Sequence, residues 1–340
     1  MADNTVAGTV DGTVDGTVDG RGADATSWRV LLRQLEYLVA LARERHFARA
    51  AAACHVSQPS LSAAIRKLER ELGVAIVQRG RKFEGLTPEG ERVLQWAHRI
   101  LAECDALRQD LSAMRDSLSG VLRMGAIPTA LTAASLLTAP FCERHGHARV
   151  SLFSLSSREI SRQMAEFELD VAMTYLDDET PAHVRTTVLY EERYLLLTPD
   201  DGRLARRDIV RWAEVAAIPL CLLSPEMRNR RILDGIFHEA GAVVVPAIET
   251  DTVSALYAHV ATHRWSSVIS HAWLHMFGVP EGMRVVRLER PATAPRVGLV
   301  IADRDPEPVL ARALLDVTRE VDVRDALDRV MARYLASPPS

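Results

Sequence analysis

Residues 47–79 read FARAAAACHVSQPSLSAAIRKLERELGVAIVQR, and residues 80–90 continue GRKFEGLTPEG. The opening FARAAAAC has the short side chains of a brief, closely packed helix. His55-Val56 makes a turn, and Ser57 is placed to cap a further helix that carries Pro59 in its tolerant first turn. On that helix Leu61, Ile65, Leu68 and Leu72 fall on one apolar face. Gln58, Ser60, Ser62, Ala63, Arg66, Lys67 and Arg70 lie elsewhere, towards solvent or a partner, and Gly73 stops the helix. Ala75–Arg79 and Glu84–Thr87 read as short strands around a basic tip of Gly80, Arg81 and Lys82. Thr87 then caps a long helix with Pro88 at its first position and Glu89 and Glu91 near the positive dipole end.

Upstream, Leu32, Leu35, Tyr37, Leu38 and Leu41 recur at helical spacing between Leu31 and Arg43. The whole is therefore three helices with a wing, over residues 30–87, the helix-turn-helix itself covering 47–66. Residues 1–27 contain the repeat TVAGTVDGTVDGTVDG and are too poor in large apolar groups to offset their ordering entropy, which predicts a disordered tail. Downstream, residues 88–118 carry Val93, Ala97, Ile100, Cys104, Leu107, Leu111, Met114 and Leu118 at alternating four- and three-residue steps. That pattern is the seam of a helix paired with a second copy, and it predicts a dimer.

Composition agrees with this division. A chain of 340 residues with 48% hydrophobic and 25% charged residues holds more than one folded unit. Its net charge of −4 is uneven: residues 1–27 carry −4, residues 28–100 carry +6 and the remainder −6. One basic module on an acidic protein is the electrostatic footprint of a duplex-binding domain. Nothing approaches the ~18 apolar residues of a membrane span, and the start lacks a secretory pattern. Cys54, Cys104, Cys142 and Cys221 are far apart and form no C-x-x-C pair, which suits reduced thiols and a cytoplasmic location.

Each polar residue of the third helix has a chemistry suited to DNA. Gln58 can make paired hydrogen bonds to adenine, Ser60 or Ser62 can reach base edges, and Pro59 and Ala63 offer apolar contact to thymine methyls. Arg66, Lys67 and the wing cations Arg79, Arg81 and Lys82 suit phosphates, which position the domain without reading sequence. A small helical bundle with a solvated basic face is the plainer alternative, and the wing, the charge and the seam together count against it.

At these residues the sequence resembles the LysR-type transcriptional regulators. The match is carried by FARAAAACHVSQPSLSAAIRKLERELGVAIVQR with GLTPEG after it, and in organisation it extends from about Val30 to Val323. Two departures stand out: Ile76-Val77 in place of the usual Leu-Phe, and Ala63 where many members carry a longer polar residue. The resemblance implies a winged helix-turn-helix with a long dimerisation helix, then an α/β effector domain like a two-subdomain periplasmic-binding-protein fold. The expected partners are double-stranded operator DNA, a small-molecule effector, a second copy in a dimer or tetramer, and RNA polymerase.

Residues 121–325 alternate strand and helix patterns, as an α/β domain with a mainly parallel sheet does. VLRMGAI, RVSLFSL, LDVAMTY, RYLLLTP, IPLCLL, AVVVPAI and RVGLVIA are its expected strands. The resemblance assigns 121–187 with 293–325 to one subdomain and 188–292 to the other, leaving 326–340 as a tail. A ligand is expected in the cleft between them. Thr129, Ser156, Ser157, Ser224 and Thr250 fall at strand-to-helix junctions, where hydroxyls and free N–H groups can hold an anion, with Arg228 as the expected cation. The histidine pairs His259/His263 and His271/His275 have no accompanying acid or cysteine cluster, so no metal is expected. No nucleophile elbow, phosphate loop or dinucleotide fingerprint occurs, so neither catalysis nor a cofactor is expected. The rival readings are a redox- or metal-responsive regulator with the same DNA-binding module and, more remotely, a solute-binding protein.

Overall fold

The computed structural model describes residues 25–78, 83–114, 118–177, 180, 184–289 and 294–336. The repeat at 5–20 and the wing tip, with Arg79, Arg81 and Lys82, lie outside these. The chain divides into two compact units with the break between Ala97 and His98.

In the first unit, helix α1 (Ala25–Glu44) starts ahead of the expected Leu31, so residues 25–27 belong to a helix rather than to the tail. Leu35, Tyr37, Leu38 and Leu41 are buried on one side of it. Helix α2 (Phe47–Ala53) buries only Ala50 and Ala51, whose methyl groups let its neighbours come close. Helix α3 (Gln58–Leu72) buries Leu61, Ile65 and Leu68, three of the four residues of the expected apolar face. Helix α4 (Pro88–Ala113) runs on into the second unit.

The second unit starts with a β-α-β-α-β run: β1 (Gly120–Ala126), α5 (Leu131–Arg144), β2 (Ala148–Ser154), α6 (Ser157–Ala165) and β3 (Val171–Tyr175). Strand β1 lies between β2 and β3 and is parallel to both. Strand β4 (Val184–Glu191) ends the first passage through this sheet, and β5 (Tyr194–Pro199) opens a second sheet with β6 (Ile209–Val210) and the short helix α7 (Trp212–Val215). A second β-α-β-α-β run follows: β7 (Cys221–Leu223), α8 (Arg228–Glu239), β8 (Ile248–Thr250), α9 (Val253–Val260) and β9 (Ser267–Ser270). Strand β7 pairs in parallel with β8, and Leu220 beside it bridges in parallel to Ser266 beside β9. After α10 (Leu274–Phe277) and β10 (Met283–Leu288) the chain returns to the first sheet as β11 (Arg296–Ala302) and finishes with α11 (Val309–Glu320) and α12 (Val323–Ala336). The sheet orders are β2-β1-β3-β11-β4, β6-β10-β5-β9 and β7-β8. In each run the first strand lies between the other two: one helix leads from it to one neighbour and the next helix passes back to the other, so its carboxyl end opens at a topological switch point.

Four expectations are corrected. The sheets are mixed rather than mainly parallel, because β11 runs antiparallel to both β3 and β4. The first sheet extends beyond residue 187: β4 stays paired with β11 through Glu191, opposite Arg296, which moves the crossing to 192–193. AVVVPAI at 242–248 forms no strand before Ile248, and Val243 and Val245 are 84% and 88% exposed. The stretch 326–336 is helix rather than tail, with Leu327 fully buried and Val330, Met331 and Leu335 packed on the core.

Gly298 marks the irregularity where β4 and β11 fall out of step, and a Cβ there would lie 2.3 Å from the Thr187 carbonyl oxygen. Among the described residues no helix is long and apolar enough to cross a membrane.

Leu327 tests the role of α12. Leu327→Ala removes a fully buried side chain and is expected to cost about 2–5 kcal/mol in urea unfolding; a variant as stable as the parent would mean that α12 contributes nothing to the core.

Candidate functional site

The exposed face of α3 is built from its ends inward. The Ser57 hydroxyl accepts from the Ser60 N–H at 3.3 Å, and Gly73 ends the helix in the left-handed region at φ 71°. The Ser60 hydroxyl lies 2.8 Å from that of Ser57, so the cap engages it. Gln58, Pro59, Ala63, Arg66 and Lys67 are exposed and Ser62 is half-buried. Lys67 faces Glu71 at 3.6 Å, one turn on, which partly offsets its charge.

The wing is fixed to this helix by a residue that the sequence reading passed over. Glu69 Oε1 accepts from the N–H groups of Ile76 and Val77 at 2.8 and 3.1 Å, holding the first wing segment against α3. Among the described residues of the wing, Val77 and Leu86 pair as a single bridge, where two longer strands were expected. Phe83 returns from the wing to meet Phe47 edge-on at 6.2 Å. The LTPEG motif has a clear mechanical content. The Thr87 hydroxyl donates to the Ala75 carbonyl at 2.6 Å and accepts from the Gly90 N–H at 2.9 Å, so one side chain joins the wing to α4 and caps α4. A Cβ at Gly90 would lie 2.1 Å from the Ile76 carbonyl oxygen, so only glycine allows this backbone contact.

Along α4, Leu107, Leu111 and Met114 are 60%, 52% and 78% exposed, and Val93, Ile100 and Cys104 are half-buried. Ala97 departs from the expected seam, being wholly buried within the chain. Trp96 is 51% exposed and was not among the expected seam residues, since heptad counting selected its neighbour.

The expected ligand residues fall into three groups. Ser156 is taken up in a capping box with Glu159 at the start of α6. Ser157 is buried beside it. Ser224 and Thr250, at the ends of β7 and β8, are joined by a Ser224 N–H to Thr250 carbonyl bond of 2.8 Å, and the cap of α9 is Thr252 rather than Thr250. Arg228 opens α8 and contacts Asp177, just beyond β3, at 2.6 Å, so it links the two subdomains and its charge is matched. Thr129 lies deeper. Its carbonyl accepts from the Trp273 indole at 3.2 Å, and its hydroxyl lies 3.3 Å from the Tyr175 hydroxyl.

Around Tyr175 the structure assembles a buried polar network that the sequence reading did not anticipate. Tyr175 at the end of β3 donates to Glu192 Oε2 at 3.0 Å, and Tyr194 at the start of β5 donates to the same oxygen at 2.9 Å. The Asn229 amide, in the first turn of α8, donates to the Tyr175 hydroxyl at 3.3 Å. Burial pushes the Glu192 carboxyl above the usual carboxylate range, opposed by hydrogen bonds from Tyr194, Tyr175 and Ser270. Nearby His271 is held down at about 4 by burial and the Arg193 charge, so it is neutral and accepts the Arg193 N–H at 3.1 Å. Tyr175 and Tyr194 sit inside expected strands, and nothing in the run EER marks Glu192 for burial.

The LysR substrate binding domain family matches residues 115–322, and the bacterial regulatory helix-turn-helix family of lysR type matches residues 32–91. The chain belongs to the LysR family of bacterial transcriptional regulators. It is therefore a DNA-binding transcriptional regulator, in a family of regulators rather than enzymes. Among its relatives is the DNA-binding transcriptional dual regulator OxyR of Escherichia coli K12, 34% identical over 212 residues, which span 62% of this chain and 69% of that one. A full-length OxyR variant from Pseudomonas aeruginosa superposes with a TM-score of 0.67 at 26% identity, covering 86% of this chain and 98% of that one. Full-length CbnR, solved with its target DNA, shares the fold at a TM-score of 0.62 and 21% identity, over 85% and 99% of the two chains.

For this LysR-type regulator the Glu69 clamp gives a direct test. Glu69→Ala leaves two N–H groups without their acceptor and is expected to cost about 1–3 kcal/mol in denaturant unfolding. Glu69→Gln keeps one acceptor oxygen and should recover most of that loss, and the two variants should rank in the same order in affinity for duplex DNA.

Proposed function

We propose that this LysR-type regulator acts in the cytoplasm as a dimer, and through a second surface as a tetramer, whose grip on operator DNA changes when a small molecule occupies the cleft between the two sheets. The observation that carries the reading is the Tyr175 hydroxyl, which joins Thr129 in the turn between β1 and α5, Glu192 of the crossing and Asn229 of the second subdomain in one buried network. A molecule inserted there touches both subdomains, and it shifts the regulator only by binding one arrangement more tightly than the other. Arg228 and the starts of α8 and α9 favour an effector with an acidic group, which would exchange with Asp177 for the guanidinium.

On the DNA side, Gln58, Pro59, Ser62 and Ala63 read bases while Ser60, Arg66, Lys67 and the wing cations Arg79, Arg81 and Lys82 hold the backbone, so that RNA polymerase meets a regulator fixed at one site. The exposed Leu107, Leu111 and Met114 supply the dimer contact with Ile100 and Cys104. Leu152 and Phe153 on the outer strand β2, with Val243 and Val245 beside β8, are exposed apolar residues suited to the second contact.

Several relatives are named hydrogen peroxide-inducible genes activators. A thiol sensor needs an exposed thiolate of low pKa. Here burial pushes the Cys221 thiol up to about 11, and exposed Cys142 lies on α5 in the other subdomain. A bound effector therefore fits this chain better than oxidation.

Two measurements test the reading. Gln58→Ala should cost about 1–3 kcal/mol on the operator and little on random DNA, whereas Arg66→Ala should weaken both and lower the salt slope by about one; identical behaviour of the two would refute the division into reading and positioning residues. Ile100→Asp combined with Leu107→Asp should abolish the dimer in sedimentation, and an intact dimer would move the seam away from α4.

A further inference from the structure

Three buried polar atoms around the cleft network have no partner: Glu192 Oε1, Asn229 Oδ1 and the Tyr190 hydroxyl. Their residues are 1%, 3% and 0% exposed, and Tyr175 ties the first two together through Glu192 Oε2 and the Asn229 amide nitrogen. Buried polar groups are almost always paired, because an orphan costs the desolvation of the group with nothing in return. Most of the donors already present are committed, the Tyr190 hydroxyl excepted, and Ser270 also bonds to Glu192. Both phenol O–H groups of Tyr175 and Tyr194 go to the same carboxylate oxygen, and one Asn229 N–H goes to Tyr175. No arginine or lysine pairs with Glu192 among the described residues. What remains unmet at Glu192 and Asn229 is acceptor capacity, and a second carboxylate cannot meet it, since like charges beside a buried carboxyl repel.

Building on the cleft reading above, we propose that the effector carries an N–H donor group, an ammonium or an amide, that hydrogen-bonds to Glu192 Oε1 and Asn229 Oδ1. Together with an acidic group at Arg228 this describes a molecule of the amino-acid class. Glu192 lies in the crossing between the sheets and Asn229 in the first turn of α8. One nitrogen bonded to both therefore joins the crossing to the second subdomain. That contact exists only in the arrangement that brings the two acceptors together, which supplies the differential affinity an effector needs. The hydroxyl-lined junctions found from the sequence describe only the acidic end of such a ligand.

The test uses the full chain and matched probe pairs: common amino acids, each beside the 2-oxo acid with the same side chain and carboxylate but no N–H. Thermal shift identifies binders, and calorimetry measures them. At least one amino acid is expected to raise the melting temperature and to bind roughly tenfold or more tightly than its oxo partner. Glu192→Gln, which replaces an acceptor by a donor, should bring that ratio close to one. Asn229→Ala is the second variant, in case the first does not fold, and should also reduce the ratio. Oxo acids that bind as tightly as their amino partners, or a panel in which no amino acid binds, overturn the proposal. If oxo acids bind and Thr129→Val weakens them, the cleft reading survives without the N–H donor. Ligands indifferent to the Thr129, Glu192 and Asn229 variants alike would overturn both.

Discussion

The chain passes between its two sheets twice, and the two passages lie side by side. Strands β4 and β11 pair antiparallel in the first sheet, β5 and β10 pair antiparallel in the second, and the Glu192 N–H donates to the Pro295 carbonyl at 2.8 Å between them. The crossing is thus a two-stranded ribbon, the form of β structure that twists most readily. It places Glu192 where no solvent reaches its carboxyl, so the side chain must find its partners in the sheets themselves. Tyr175 comes from one sheet and Tyr194 from the other. A single buried acid thereby couples the connection between the subdomains to strands of both sheets.

The first unit solves a different problem with similar economy. Three short helices and a wing have little core, and α2 contributes only alanine methyl groups to it. Backbone groups freed at the turns are instead taken by side chains chosen for the purpose: Ser57 at the start of α3, Glu69 for the wing, and Thr87 for the wing and α4 together. These bonds leave most of the outward face of α3 exposed rather than packed.

Local chemistry was legible in the sequence and long-range pairing was not. The caps at Ser57 and Thr87, the stop at Gly73 and the apolar face of α3 follow from residues a few positions apart, and all appear as expected except that Leu72 of that face is exposed. Strands β4, β9 and β10 escaped notice because their threonines, serines and arginines hide the alternation, and they become strands only through partners far along the chain. The opposite error occurred at 242–248, where three consecutive valines look like a strand but have none beside them to pair with until Ile248. Of the residues in the buried network, Thr129 was picked out from its junction position. Tyr175, Glu192 and Asn229 were not, since 17 and 54 residues separate Tyr175 from its partners.

Gly90 has a consequence for how movement travels through the first unit. With no side chain between them, the first turn of α4 and the wing backbone at Ile76 touch directly, and Thr87 pins the same joint from the other side. Side chains act as springs, because they change rotamer under load; a contact between two backbones has no such slack. A rotation of the first turn of α4 therefore reaches the Ile76 backbone with little slack.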